Sequence, residues 1–138
     1  MYLFAVSDLH GDVGLTKNLL KSAVRADVVV VCGDVSNFGH GLREVCEALS
    51  TIGREVIVTP GNCDPPSEVE DACLEFGLTY AHGRVVDVGD VKIGVIGGST
   101  PTPFSTPFEL REDEVERLLA RFSGVDGLIL ATHTPPYG

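Results

Sequence analysis

The sequence contains no tryptophan, no glutamine and only ten basic residues against twenty acidic ones, a formal net charge of −10 over 138 residues. So acidic a balance disfavours nucleic acid as a partner, because proteins that follow a phosphate backbone carry a basic face. Bound divalent cations would nevertheless reverse the local field wherever they sit. No apolar run approaches the roughly 18 residues that a membrane span needs, so no membrane partner is expected. The opening Met1 to Val6 turns polar at Ser7-Asp8 and has no basic flank, which does not read as a signal peptide. A cytoplasmic protein is the expectation. The four cysteines, at 32, 46, 63 and 73, show no Cys-x-x-Cys spacing, which argues against a structural zinc site and, without a secretory signal, against disulfides. No lysine follows a glycine, so there is no Walker-type phosphate loop. The sixth residue after each cysteine is Phe38, Ile52, Val69 or Thr79, never the arginine that a cysteine-type phosphatase requires.

What is present is an alternation of strands and helices in one domain, residues 1–138. Tyr2 to Val6 reads as a strand ending in the polar loop Ser7 to Asp12. Leu15, Leu19, Leu20, Ala23 and Val24 recur at helical spacing on one face. Val28 to Val31 is unbroken and β-branched, as a strand buried on both faces should be, and the loop Gly33 to Asn37 follows. Leu42, Val45, Cys46, Leu49 and Ile52 mark a second helix closed by Gly53. Val56 to Val58 is a third strand, leading to Thr59-Pro60-Gly61-Asn62-Cys63-Asp64. Ser67 with Glu70 reads as a capping box, opening a short helix that stops at Gly77. Arg84–Val88 and Val91–Ile96 flank Gly89-Asp90 as a hairpin. The segment from Gly97 to Pro107 is a long loop. A helix over about 111–122 carries Val115, Leu118, Leu119 and Phe122, and a last strand over Gly127 to Ala131 leads to His133.

Four strands therefore end in loops carrying Asp8 with His10, then Asp34, then Asn62, then His133. In open α/β sheets ligands bind at these carboxyl ends. Carboxylate and amide oxygens with imidazole nitrogens suit hard-to-borderline divalent metals. One carboxylate bridging two ions roughly 3.5–4 Å apart is the geometry of two-metal hydrolysis, and Asp34, in the middle of the set, is the natural bridge. Taken singly, each residue has an ordinary reading. Asp8 or Asp34 is as readily a helix cap, Asn62 a turn residue after Pro60-Gly61, and His10 or His133 a surface or core histidine. The ordered set of four is what argues for a site. His40 and His82 have no such context and read as structural.

The motifs Asp8-Leu9-His10-Gly11, Gly33-Asp34, Gly61-Asn62-Cys63-Asp64 and Thr132-His133 resemble, in order, those of the calcineurin-like metallophosphoesterase superfamily. The loop Gly97 to Phe104 and the ending His133 to Gly138 look like its small prokaryotic Icc-related phosphoesterases. The resemblance implies an α/β sandwich of two facing mixed sheets with helices outside. It implies two divalent ions, manganese foremost, with iron, zinc, nickel or cobalt also suited. Asp8, His10 and Asp34 would hold one ion; Asp34, Asn62 and His133 would hold the other. A hydroxide between them would attack the phosphorus of a small phosphate-ester substrate.

The third motif supplies Cys63 and Asp64 as candidate catalytic residues, with Cys63 where the family usually has a histidine thought to protonate the leaving group. A thiol is a weaker hydrogen-bond donor, so phosphodiesters and good leaving groups are the expected substrates. The family's closing Gly-His-x-His motif is not among these residues, and the expectation is a second sheet and a ligand set that are incomplete without it. A non-catalytic protein-binding scaffold of the same fold is the alternative. It is disfavoured because such members typically lose ligands and this chain keeps five. A nuclease is disfavoured by the acidic balance.

Overall fold

Each of the first three strands is followed by a helix before the next begins, and that connection makes neighbours parallel. In the computed structural model, which describes residues 1–136, β1 (Leu3–Val6) leads to α1 (Val13–Ser22) and a 3-10 turn over Ala23–Arg25. β2 (Val28–Cys32), α2 (Leu42–Ser50), β3 (Glu55–Thr59), α3 (Pro66–Phe76) and the two-residue β4 (Thr79–Tyr80) follow. These strands form one sheet in the order β1-β2-β3-β4, every pair parallel. A hairpin of β5 (Arg84–Val88) and β6 (Val91–Ile96) comes next, and α4 (Glu112–Ala120) returns the chain to β7 (Leu128–Thr132). β5 is antiparallel and β7 parallel to β6, so this second sheet is mixed. The α/β sandwich of two sheets with outer helices is as expected. The first sheet, however, is parallel throughout among the described residues.

The pleat of the strands sorts their side chains into layers, because successive residues point to opposite faces. Val29 and Val31 of β2, with Val56 and Val58 of β3, pack against Val45, Cys46 and Leu49 of α2 and Val69 and Cys73 of α3. Val28, Val30 and Ile57 point the other way and meet Ile93 and Val95 of the second sheet. On the far side of that sheet, Ile96 joins Leu118 and Phe122 beneath α4. Val28 to Val31 are all fully buried, each burial stabilising by about 1.5–3 kcal/mol. The result is helices, sheet, sheet, helix, with the carboxyl ends of β1, β2 and β3 at one rim.

Several local expectations shift. Asp12 caps α1 by accepting from the Leu15 N–H at 2.8 Å. Leu19 and Leu20 of the helix and Ala23 of the 3-10 turn pack on the core as expected, joined by Thr16, whereas Leu15 and Val24 are exposed. α3 has no capping box at Ser67: it starts at Pro66, whose fixed φ suits a first turn. Gly77 ends it with φ +69°, as expected. In α4 Leu119 is exposed, while Val115 and Leu118, with Phe122 just beyond the helix end, face the sheet. Tyr137 and Gly138, the end of the Icc-like tail, lie outside the described residues. Among those described, no helix is long and apolar enough to cross a membrane.

Candidate metal centre

Asp8, His10 and Asp34 all have left-handed backbones, with φ of 59°, 45° and 52°. Such conformations cost side-chain-bearing residues on the order of 1–3 kcal/mol each and persist only where surroundings hold them. Here the loop after β1 is bonded to the loop after β2. The N–H groups of Asp8, His10 and Gly11 donate to the carbonyls of Gly33, Asp34 and Val35 at 3.0, 2.8 and 2.9 Å. Two glycines then let the remaining loops close in. A Cβ on Gly61 would stand 2.1 Å from Asp34 Oδ1, and one on Gly33 would stand 2.5 Å from His133 Nδ1. Nothing larger fits between these partners.

The convergence brings all five expected ligands together around Asp34, which is 5% exposed. Its two oxygens face different histidines: Oδ2 is 3.6 Å from His10 Nε2, and Oδ1 is 3.5 Å from His133 Nε2. Asp8 Oδ1 is 3.6 Å from His10 Nε2, and Asn62 Oδ1 is 2.9 Å from His133 Nε2. Ligand atoms about 2.1 Å from an ion stand about 3.0 Å apart at right angles and about 3.4 Å apart in a tetrahedron. These separations have the scale of shared coordination.

The chemistry of the donors supports the same fit. His133 Nδ1 is 2.8 Å from the Cys32 carbonyl, which can only accept, so the hydrogen-bond network assigns the ring proton to Nδ1. In the neutral ring Nε2 then presents a lone pair to Asn62 Oδ1, another acceptor. That contact is attractive only when a proton or a cation lies between the two. A divalent ion satisfies it without protonating the ring, and a carbonyl partner on the far nitrogen is the usual support for a metal-bound histidine.

Cys63 lies beside the site. Its Sγ and ligand atoms of His10 and Asp34 all lie within 4.8 Å of one another, and its N–H donates to Asp34 Oδ1 at 2.9 Å. Partial burial, reinforced by the Asp34 carboxylate, pushes the thiol up to about 11. Asp64 is placed differently from a catalytic group. It is fully buried, and its oxygens accept from the N–H groups of Val35, Ser36 and Gly61 and from the Ser36 hydroxyl, at 2.7–2.9 Å. Those four donors occupy the carboxylate and tie the second strand's loop to the third's.

His40 is exposed, and His82 is structural as expected. Its Nδ1 accepts from Gly97 N–H at 3.0 Å and its ring packs edge-on against Phe108. Burial, with the nearby Arg121 charge, lowers its pKa. Two residues near the centre carry no sequence signal: Thr106 and Glu109, in the long loop before α4. Thr106 Oγ1 accepts from the Asn62 amide at 3.2 Å and donates to Glu109 at 2.8 Å. Neither belongs to a motif or to a periodic segment, so only the folded loop reveals them.

A rim of candidate metal ligands at the ends of strands, in a sheet-on-sheet sandwich, points to a class, and sequence comparison names it. The calcineurin-like phosphoesterase superfamily domain matches residues 1–134, and the chain belongs to that metal-dependent family. An uncharacterized protein of Methanocaldococcus jannaschii is 38% identical over 145 residues, covering 99% of this chain and 62% of that protein. A probable metallophosphoesterase of the same organism is 28% identical, covering 98% of this chain and 60% of its own length. The chain thus spans about three fifths of these curated relatives. The crystal structure of phosphopantetheinyl hydrolase from Mycobacterium tuberculosis superposes with a TM-score of 0.56 at 18% identity, over 97% of this chain and 68% of that one. At that identity the likeness is one of fold.

Proposed function

We propose that this protein hydrolyses small phosphate esters, phosphodiesters foremost, at a centre that takes two divalent ions. The observation that carries the reading is the division of Asp34, whose two oxygens face His10 and His133 separately. Asp8 and His10 would complete one ion site, and Asn62 and His133 the other. When bound, the ions supply water of lowered pKa and offset charge gathering on the phosphoryl oxygens. Manganese suits these ligands, as do iron, zinc, nickel and cobalt.

The chain's own residues set the rest. His133 is oriented by the Cys32 carbonyl, Asp34 is held by the Cys63 N–H, and Asp64 positions both loops from beneath. Cys63 supplies a thiol where the family usually has histidine. A thiol donates weakly to a departing alkoxide, and this favours diesters and good leaving groups. Four free cysteines support a reducing, cytoplasmic setting. The test is manganese-dependent hydrolysis of bis(p-nitrophenyl) phosphate by the native protein and by Asp34→Ala. Activity should fall about 100-fold or more, beyond what loss of a mere supporting residue brings. Near-native turnover by the variant would overturn the reading.

A further inference from the structure

We propose that Thr106 and Glu109 are positioning residues which lock the side-chain amide of Asn62 with its oxygen toward the ion site shared with His133. The proposal rests on the metal-centre reading for its consequence, though the lock itself exists without metal. An asparagine amide is nearly symmetric in shape, and only its hydrogen-bond partners decide which end faces where. Asn62 Oδ1 lies 2.9 Å from His133 Nε2 and Nδ2 lies 3.2 Å from Thr106 Oγ1. A hydroxyl could either donate to Asn62 or accept from it. Glu109 removes that choice. Its Oε1 accepts the Thr106 hydroxyl proton at 2.8 Å, which leaves a Thr106 lone pair facing Asn62. Only the NH₂ end of the amide can answer a lone pair, so the oxygen is turned toward the ion site.

Glu109 is itself fixed. The same oxygen accepts from Thr106 N–H at 2.9 Å and from the Thr102 hydroxyl at 2.6 Å. These bonds hold its carboxyl down to about 2, so it remains an acceptor at any ordinary working pH. The backbone holds the loop in register: Phe108 N–H donates to the Asn62 carbonyl at 3.1 Å, and Gly98 N–H to the Pro60 carbonyl at 2.9 Å. A loop with neither strand nor helix thereby selects the face of one metal ligand. This is the arrangement expected of an outer partner of a ligand, whose removal typically costs 10–100-fold in metal affinity.

The experiment compares native protein with Thr106→Val, which keeps the shape and deletes the hydroxyl, Thr106→Ser, which keeps it, and Glu109→Ala. Calorimetric titration with manganese should show one of the two binding steps of Thr106→Val weakened by about 10–100-fold, the other step unchanged, and Thr106→Ser close to native. In the metal-free proteins, the Asn62 side-chain amide resonances should move in Thr106→Val and Glu109→Ala but not in Thr106→Ser. If Thr106→Val fails to fold, Glu109→Ala carries the same comparison. Native affinity in Thr106→Val, an equal loss in Thr106→Ser, or unmoved Asn62 resonances would overturn the proposal. Native protein that takes up no manganese, yet shows the resonance pattern, would sink the metal-centre reading while supporting the lock.

Discussion

Gly61 lies so close to Asp34 that a Cβ at Gly61 would stand 2.1 Å from Asp34 Oδ1 and 2.2 Å from its backbone nitrogen. The third loop can meet the second only because one partner has no side chain. Gly61→Ala should therefore push Asp34 out of place. Overpacking of this kind costs about 1–3 kcal/mol, and manganese affinity should fall with it. Thermal denaturation and a metal titration on the purified variant check both effects. An alanine tolerated in both would mean that the loops have slack the geometry denies.

Asp64 should matter to the fold before it matters to turnover. Its carboxylate answers four donors in a fully buried position, and hydrogen bonds to a charged group contribute about 1.5–3 kcal/mol each. In Asp64→Asn the amide's NH₂ would face an N–H that needs an acceptor. A loss of about 2 kcal/mol or more in denaturant unfolding is expected, with an accompanying fall in Tm. Native stability combined with lost activity would instead assign Asp64 to the chemistry.

Cys63 sits within reach of His10 and Asp34 at the mouth of the centre. Cys63→His would place a stronger proton donor there. Hydrolysis of monoesters with poor leaving groups should rise relative to diesters, since general acid catalysis contributes about 10²–10⁴-fold where it operates. Steady-state kinetics on an alkyl monoester and a nitrophenyl diester give the ratio. An unchanged ratio would remove the role assigned to this position.

Much of this was readable in the chain because burial and chemistry leave different marks on it. Val28 to Val31 announces a strand covered on both faces, and polar loops after three such runs locate the rim of the sheet. At that rim the fold brings Asp8, His10, Asp34, Asn62 and His133 within a few ångströms of one another. Asp64 was not separable from its neighbours in Gly61-Asn62-Cys63-Asp64, because adjacent loop residues point in opposite directions and only folding shows which faces the core. β4 is two residues long, too short to carry a period. In the first helix the spacing finds Leu19, Leu20 and Ala23, which pack on the core, but not the exposure of Val24, because the chain tightens to a 3-10 turn at Ala23–Arg25 and helical spacing no longer holds there. Thr106 and Glu109 are invisible in the sequence for a further reason: Thr106 meets Asn62 across 44 positions and Glu109 acts on it through Thr106, in a loop that has no repeat of its own.

Asp34 is proposed to serve two ions at once, and the number of manganese ions bound per chain measures this directly. Calorimetric titration of metal-free native protein, with metal content confirmed by elemental analysis, should give two. The same titration of Asp34→Ala should show both steps weakened together, because the variant removes an oxygen from each site. One ion per native chain, or an Asp34→Ala variant that loses a single ion and holds the other at native affinity, would mean that Asp34 does not join two ion sites.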